Sequence, residues 1–201
     1  MGITTMMRNK LSNKGVFSLA ELLVTLLIVS LVTSGVATGV QLAVGHYRRS
    51  MGLSESKVLC STLSSIVQSE LGSTREAQPG ELISGTEYRL IGFFSNTYAN
   101  TQDLSQFYSV DVNDSGISLS DDGYGEIILG VKSGNSVIGN LLVGSKSYST
   151  YKLKARVNVT CTIPDGENYI SKFHVTIIIK APADQTTSTS FDVIPLNRID
   201  V

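Results

Sequence analysis

The chain has 201 residues, 16 basic and 17 acidic side chains, and a formal net charge of −1. That balance lacks the basic excess of a general nucleic-acid binder. With only two cysteines and two histidines, far apart in the chain, it also lacks the ligand spacing of a tetrahedral zinc site. Residues 1–15 form a basic leader carrying Arg8, Lys10 and Lys14 and no acid. Residues 16–45 follow as an apolar run in which Leu22 to Val44 has no formal charge. Crossing the hydrocarbon core takes about 20 apolar residues in a helix, so the run predicts a membrane-spanning helix. A soluble core helix would alternate faces, and this one does not. Its hydroxyl residues, Thr25, Ser30, Thr33, Ser34 and Thr38, can bond back to carbonyls one turn earlier.

Glu21 stands out, because it is the only formally charged side chain between Lys14 and Arg48. A carboxylate in the bilayer costs about 3 kcal/mol on insertion scales, and such residues carry function by default. A lone buried carboxylate must take up a proton or find a cation. The small residue Gly15 directly follows Lys14, at the near end of the apolar run. An ordinary secretory signal carries its small residues at the far end.

Lys14-Gly15, followed by Phe17-Ser18-Leu19-Ala20-Glu21-Leu22-Leu23-Val24, resembles the N-terminal signature of type IV prepilins and the related pseudopilins. The resemblance covers the leader and the apolar run and does not extend into the rest of the chain. It implies that a membrane prepilin peptidase cuts after the glycine on the cytoplasmic side and methylates the new N-terminus. In the family the glutamate is normally the fifth residue of the mature chain, whereas a cut after Gly15 makes Glu21 the sixth. Either Val16 is a tolerated insertion or the cut falls after Val16. The family's demand for a small residue favours the Gly15–Val16 bond, with N-methylation at Val16 (or Phe17). The resemblance gives Glu21 the mature N-terminal amine of a neighbouring subunit as its partner. Such a pair reads axial register more than it adds stability. Arg8, Lys10 and Lys14 before the helix and Arg48, Arg49 and Lys57 after it leave the positive-inside rule with little preference. The resemblance implies a cytoplasmic N-terminus and an extracytoplasmic C-terminal domain. It also implies a single-pass membrane protein before assembly, and a place at the cell surface or in a pilus afterwards. The implied partners are other pilin or pseudopilin subunits, the prepilin peptidase and an inner-membrane assembly platform. The alternative is a signal-anchored surface protein with an uncleaved helix and a β-rich adhesion or ligand-binding domain. Gly35 and Gly39 form a small-xxx-small pair that permits close helix approach. Ordinary glycine usage in membrane helices explains them equally well.

Residues 46–72 extend the helix amphipathically. Leu59, Leu63, Ile66, Val67 and Leu71 recur at helical spacing, and Leu71-Gly72-Ser73 reads as the stop. A helix from Val16 to Leu71 would be about 80 Å long at 1.5 Å per residue. Residues 73–201 read as a β-rich extracellular domain of a size sufficient for its own core. Tyr151 to Ile163 alternates apolar and polar residues and predicts a half-buried strand. The Pro164–Asn168 turn leads to a hairpin partner over Phe173–Ile179, where Ile178 interrupts the alternation and suggests cover on both faces. Tyr108–Val112 and Ile117–Leu119 predict a second hairpin. Glu87–Phe94, Glu126–Val131 and Val137–Val143 are further strands. Phe191–Ile194 reads as a short final strand, with Pro195 indicating an edge. Thr186–Ser190 has the composition of a loop. The expected fold class is α+β: a long N-terminal hydrophobic helix packed on an antiparallel sheet.

Cys60 on the helix and Cys161 on the strand both point toward the expected helix–sheet interface. They form either a disulfide, which an extracellular location permits, or two buried free thiols. Asp111-Val112-Asn113-Asp114-Ser115-Gly116 with Asp122 loosely matches a calcium loop. Ser118 replaces the aliphatic residue of that pattern, however, and a hairpin explains the same residues without metal. No grouping of nucleophile, base and orienting acid points to an enzyme, and no cofactor is implied. Lys152, Lys154 and Arg156 form the one local basic cluster, and read as a solvated strand face. The whole reading is a structural subunit of a type IV pilus, type II secretion or competence-type filament.

Overall fold

The structure, a computed structural model, describes residues 18–95, 104–113, 116–134, 136–182 and 185–201. Contacts divide it into two compact units, with the boundary after Arg48. Helix α1 spans Leu19–Gly72. In the first unit every described residue through Arg48 is exposed, including Leu26, Leu27, Ile28, Leu31 and Val36. This segment is apolar around its whole circumference, the pattern of a helix whose solvent is not water. The hydroxyls of Thr25, Ser30, Thr33 and Thr38 are satisfied within the helix, as expected. Ser30 Oγ donates to the Leu27 carbonyl at 2.8 Å, Thr33 Oγ1 to Val29 at 2.9 Å and Thr38 Oγ1 to Ser34 at 2.9 Å. α1 is long and apolar enough to cross a membrane, and no other helix among the described residues is.

In the second unit α1 acquires a stripe. Gly52, Ser56, Leu59, Cys60, Leu63, Val67, Glu70 and Leu71 are buried, and most have another of the set three or four residues away, so they lie on one face. Leu63, Val67 and Leu71 are fully buried in one core with Phe173, Val175, Ile177 and Ile179. Each such side chain contributes roughly 1.5–3 kcal/mol of transfer free energy. The helix ends at Gly72, as the sequence indicates, and the Leu196 N–H satisfies its last carbonyl at 2.9 Å.

The apolar stripe packs on a five-stranded sheet ordered β1-β2-β7-β9-β10, with every pair antiparallel. The strands are β1 Ala77–Ser84, β2 Glu87–Phe93, β7 Lys154–Thr162, β9 Lys172–Ala181 and β10 Gln185–Val193. β7 and β9 form the expected hairpin partners, in register from Lys154↔Lys180 to Thr162↔Lys172. β9 alternates buried and half-buried residues without a break, and Ile178 is half-buried on the polar face. The expected hairpin at Asn113 also forms, with β3 Gln106–Asn113 against β4 Gly116–Leu119. β5 Glu126–Ser133 and β6 Ser136–Leu141 match two further expectations.

β3, β4, β6 and β5 close into a small barrel, which the single expected sheet did not foresee. Val110, Ile128 and Val137 fill its separate core. Gly130 and Gly139 face each other across β5 and β6, where a Cβ on either would strike the partner's backbone. A two-residue ladder joins β8 Tyr169–Ile170 to β11 Ile199–Asp200.

Three expectations are corrected. Tyr151–Leu153 is not strand. The short helix α2, Lys146–Ser149, precedes it, Lys152 takes a left-handed φ of 52°, and the Leu153 N–H bonds the Tyr148 carbonyl at 2.8 Å. Thr186–Ser190 is not a loop but the middle of β10, because Thr187 and Thr189 pair with Ile179 and Ile177 of β9. The final strand is β11, not Phe191–Ile194; Phe191 to Val193 close β10, an edge strand as Pro195 suggested.

Candidate functional site

The bonds at the start of α1 follow from a four-residue pattern, Ser18-Leu19-Ala20-Glu21. The Glu21 N–H donates to Ser18 Oγ at 3.2 Å, and the Ser18 N–H donates to Glu21 Oε2 at 3.0 Å. The Leu22 N–H donates to the Ser18 carbonyl at 3.1 Å, the first bond of the helix. This is a reciprocal capping box, with two orphan donors of the helix start satisfied at once. It also places a negative charge at the positive end of the helix dipole. Glu21 therefore has a local partner in the isolated chain that the sequence reading overlooked. The serine-x-x-glutamate spacing was the available signal. Glu21 Oε1 carries no hydrogen bond among the described residues. Gly15, Val16 and Phe17 lie outside the described residues.

Asp114 and Ser115 of the calcium candidate lie outside the described residues, and Asp111 and Asp122 have a different organisation. Asp111 and Asp122 both face the Lys154 ammonium, at 3.7 and 3.5 Å. Asp122 Oδ1 accepts the Tyr124 N–H at 3.0 Å and the Ser120 hydroxyl at 2.8 Å. These bonds, the backbone one first, hold the Asp122 carboxyl below the ordinary aspartate range, with a lesser contribution from Lys154. Asn113 pairs with Gly116 inside the β3–β4 hairpin. No three histidine, cysteine or acidic side chains gather as a metal-binding group among the described residues. The cation between Asp111 and Asp122 is thus the chain's own lysine.

The basic cluster is divided in the same way. Lys152 sits in the turn before β7, and Lys154 is ion-paired. Arg156 Nε donates to Asn158 Oδ1 at 3.1 Å. Tyr124 lies beneath two cations, with Lys180 Nζ 3.6 Å and the Arg156 guanidinium 5.8 Å from its ring centre.

Cys60 and Cys161 share the core, as expected, but they stand as two unbridged, buried thiols. Cys161 Sγ donates to the Tyr88 carbonyl at 3.7 Å. Burial pushes the Cys161 thiol up to about 11, and raises that of Cys60 as well. His174 Nδ1 lies 2.7 Å from Asp192 Oδ1, and the same carboxylate accepts Lys172 Nζ at 2.7 Å. Comparison with known protein families, curated proteins and solved structures found no match.

Proposed function

We propose that the chain is a type IV pilin-like subunit, a minor pilin or pseudopilin, processed by a prepilin peptidase. The observation that carries this reading is Glu21, one acid at the head of an apolar span, closely following Lys14-Gly15. The mechanism is assembly. The span up to Arg48 is held in the bilayer as a single-pass anchor, with the N-terminus cytoplasmic. On incorporation the same apolar surface leaves lipid for a bundle of like helices. Close packing there depends on van der Waals contact and small residues such as Gly35 and Gly39. Glu21 accepts the N-terminal amine of a neighbouring subunit and fixes axial register. The capping box adds one step: Ser18 holds the carboxylate at the helix end until that amine arrives. The β-rich unit faces outward and carries the specificity of the subunit.

Glu21→Ala tests the assignment. The expected outcome is normal membrane insertion, retained processing and loss of the protein from the sheared filament fraction. Incorporation at the wild-type level would remove the register role. A retained leader together with indifference to Glu21 would instead identify a signal-anchored surface protein.

A further inference from the structure

β2 and β7 pair at only three positions, Glu87↔Thr162, Tyr88↔Cys161 and Arg89↔Thr160. Beyond Arg89, β2 turns to the Phe93↔Ser105 bridge, while β7 continues to Ala155 and bridges Gly125. The strands therefore splay, and the space between them is a cavity of about 490 Å³. That volume falls within the roughly 300–1,000 Å³ range of small-molecule sites.

The wall has two characters. Leu90, Phe107 and Val157, all half-buried, give it apolar surface, and the fully buried Phe93 lies behind Phe107 with the two rings 5.2 Å apart. Arg89 and Arg156 bring two guanidinium groups, and no lining residue is acidic. Neither arginine forms an ion pair among the described residues; Lys154, Lys172 and Arg198 hold the carboxylates that are paired. Gln106, Asn158 and Thr160 add neutral polar residues to the wall.

An uncharged apolar ligand would make no use of the two exposed guanidinium groups. A compact, highly charged ion such as phosphate would leave the phenylalanine wall unused. An organic acid serves both sides. Its planar carboxylate accepts parallel N–H bonds from a guanidinium fork, while its body lies on the aromatic wall. We propose that this cavity binds a small carboxylate with an aromatic or aliphatic body, held by Arg89 and Arg156. The site stands on the geometry of the β-rich unit alone and is independent of the assembly role.

The test uses full-length protein in micelles of a neutral maltoside detergent, with methyl-labelled leucine and valine. The probe is 3-phenylpropionate, and the neutral control is 3-phenylpropionamide. The expected result is saturable movement of the Leu90 and Val157 methyl signals, at least tenfold tighter for the acid than for the amide. Arg89→Gln and Arg156→Gln should each weaken the acid tenfold or more without lowering the melting temperature. Equal binding of acid and amide, or no saturation up to about 10 mM, the weak end of useful affinity, would overturn the proposal. The amide control needs no variant, so the test survives a substitution that disturbs folding.

Discussion

The two units divide α1 into two regions that use the same residue types differently. From Leu19 to Arg48 leucine, isoleucine and valine occupy every side of the helix, and none is buried. From Arg49 to Gly72 the apolar residues narrow to one stripe, and that stripe is buried. The second region is stabilised by what it buries within its own chain. The first buries nothing against the described residues, a distribution compatible with a membrane anchor. Apolarity alone therefore does not say where a helix's free energy comes from; its angular distribution does.

The sharpest way to break this comparison is a pair of truncations. Phe173→Ala, in the middle of the core, should cost the β-rich unit about 3–5 kcal/mol. Leu27→Ala should change the unfolding of that unit by less than about 0.5 kcal/mol. Denaturant unfolding in micelles, followed by the tyrosine signal, checks both, and equal effects would erase the distinction. Cys161→Ser sharpens it next. It puts a stronger hydrogen-bonding group where a thiol now meets a single long bond, at a cost of roughly 1–3 kcal/mol. Because the folded thiol pKa is raised, its stabilising contribution is whole below the ordinary thiol value and is lost as pH rises through about 11. Iodoacetamide at neutral pH should therefore label both cysteines only on unfolding.

A smaller effect separates the regions from the other side. Ser18→Ala removes one half of the capping box and should cost the helix start about 1 kcal/mol. Amide exchange should quicken near Glu21 while the melting of the β-rich unit stays fixed. The smallest effect is at Asp192, on the surface of that unit. The Lys172 ammonium first, and His174 second, lower its carboxyl pKa, so its contribution is present above the ordinary aspartate value. It is lost as pH falls through the lowered folded value. The melting difference between wild type and Asp192→Asn should be slight at neutral pH and vanish in acid.

Much of this organisation was legible from local pattern. The stripe on α1, its stop at Gly72 and the hairpins at Asn113 and Pro164 all follow from short-range periodicity and turn chemistry. β10 was not legible, since Thr186–Ser190 is polar throughout and becomes a strand only because β9 offers it an edge. β1 carries Pro79 and Gly80, which argue against a strand. It is tolerated because it is an edge strand with register shifts. Barrel closure rests on Ser118↔Ser136 between β4 and β6, a long-range pairing without local signal. The proposed carboxylate site was hidden for the same reason. Arg89 and Arg156 are far apart in sequence, and the splay of β2 from β7 brings both to one cavity.

Glu21 is proposed to head the mature helix of an assembling subunit. The most direct test is the mass and sequence of the N-terminal peptide of the native, membrane-extracted protein. A chain starting at methylated Val16, or at methylated Phe17, is the expected result, and it also fixes the cleavage register. An intact leader in cells with an active prepilin peptidase would contradict the claim and leave an anchored surface domain.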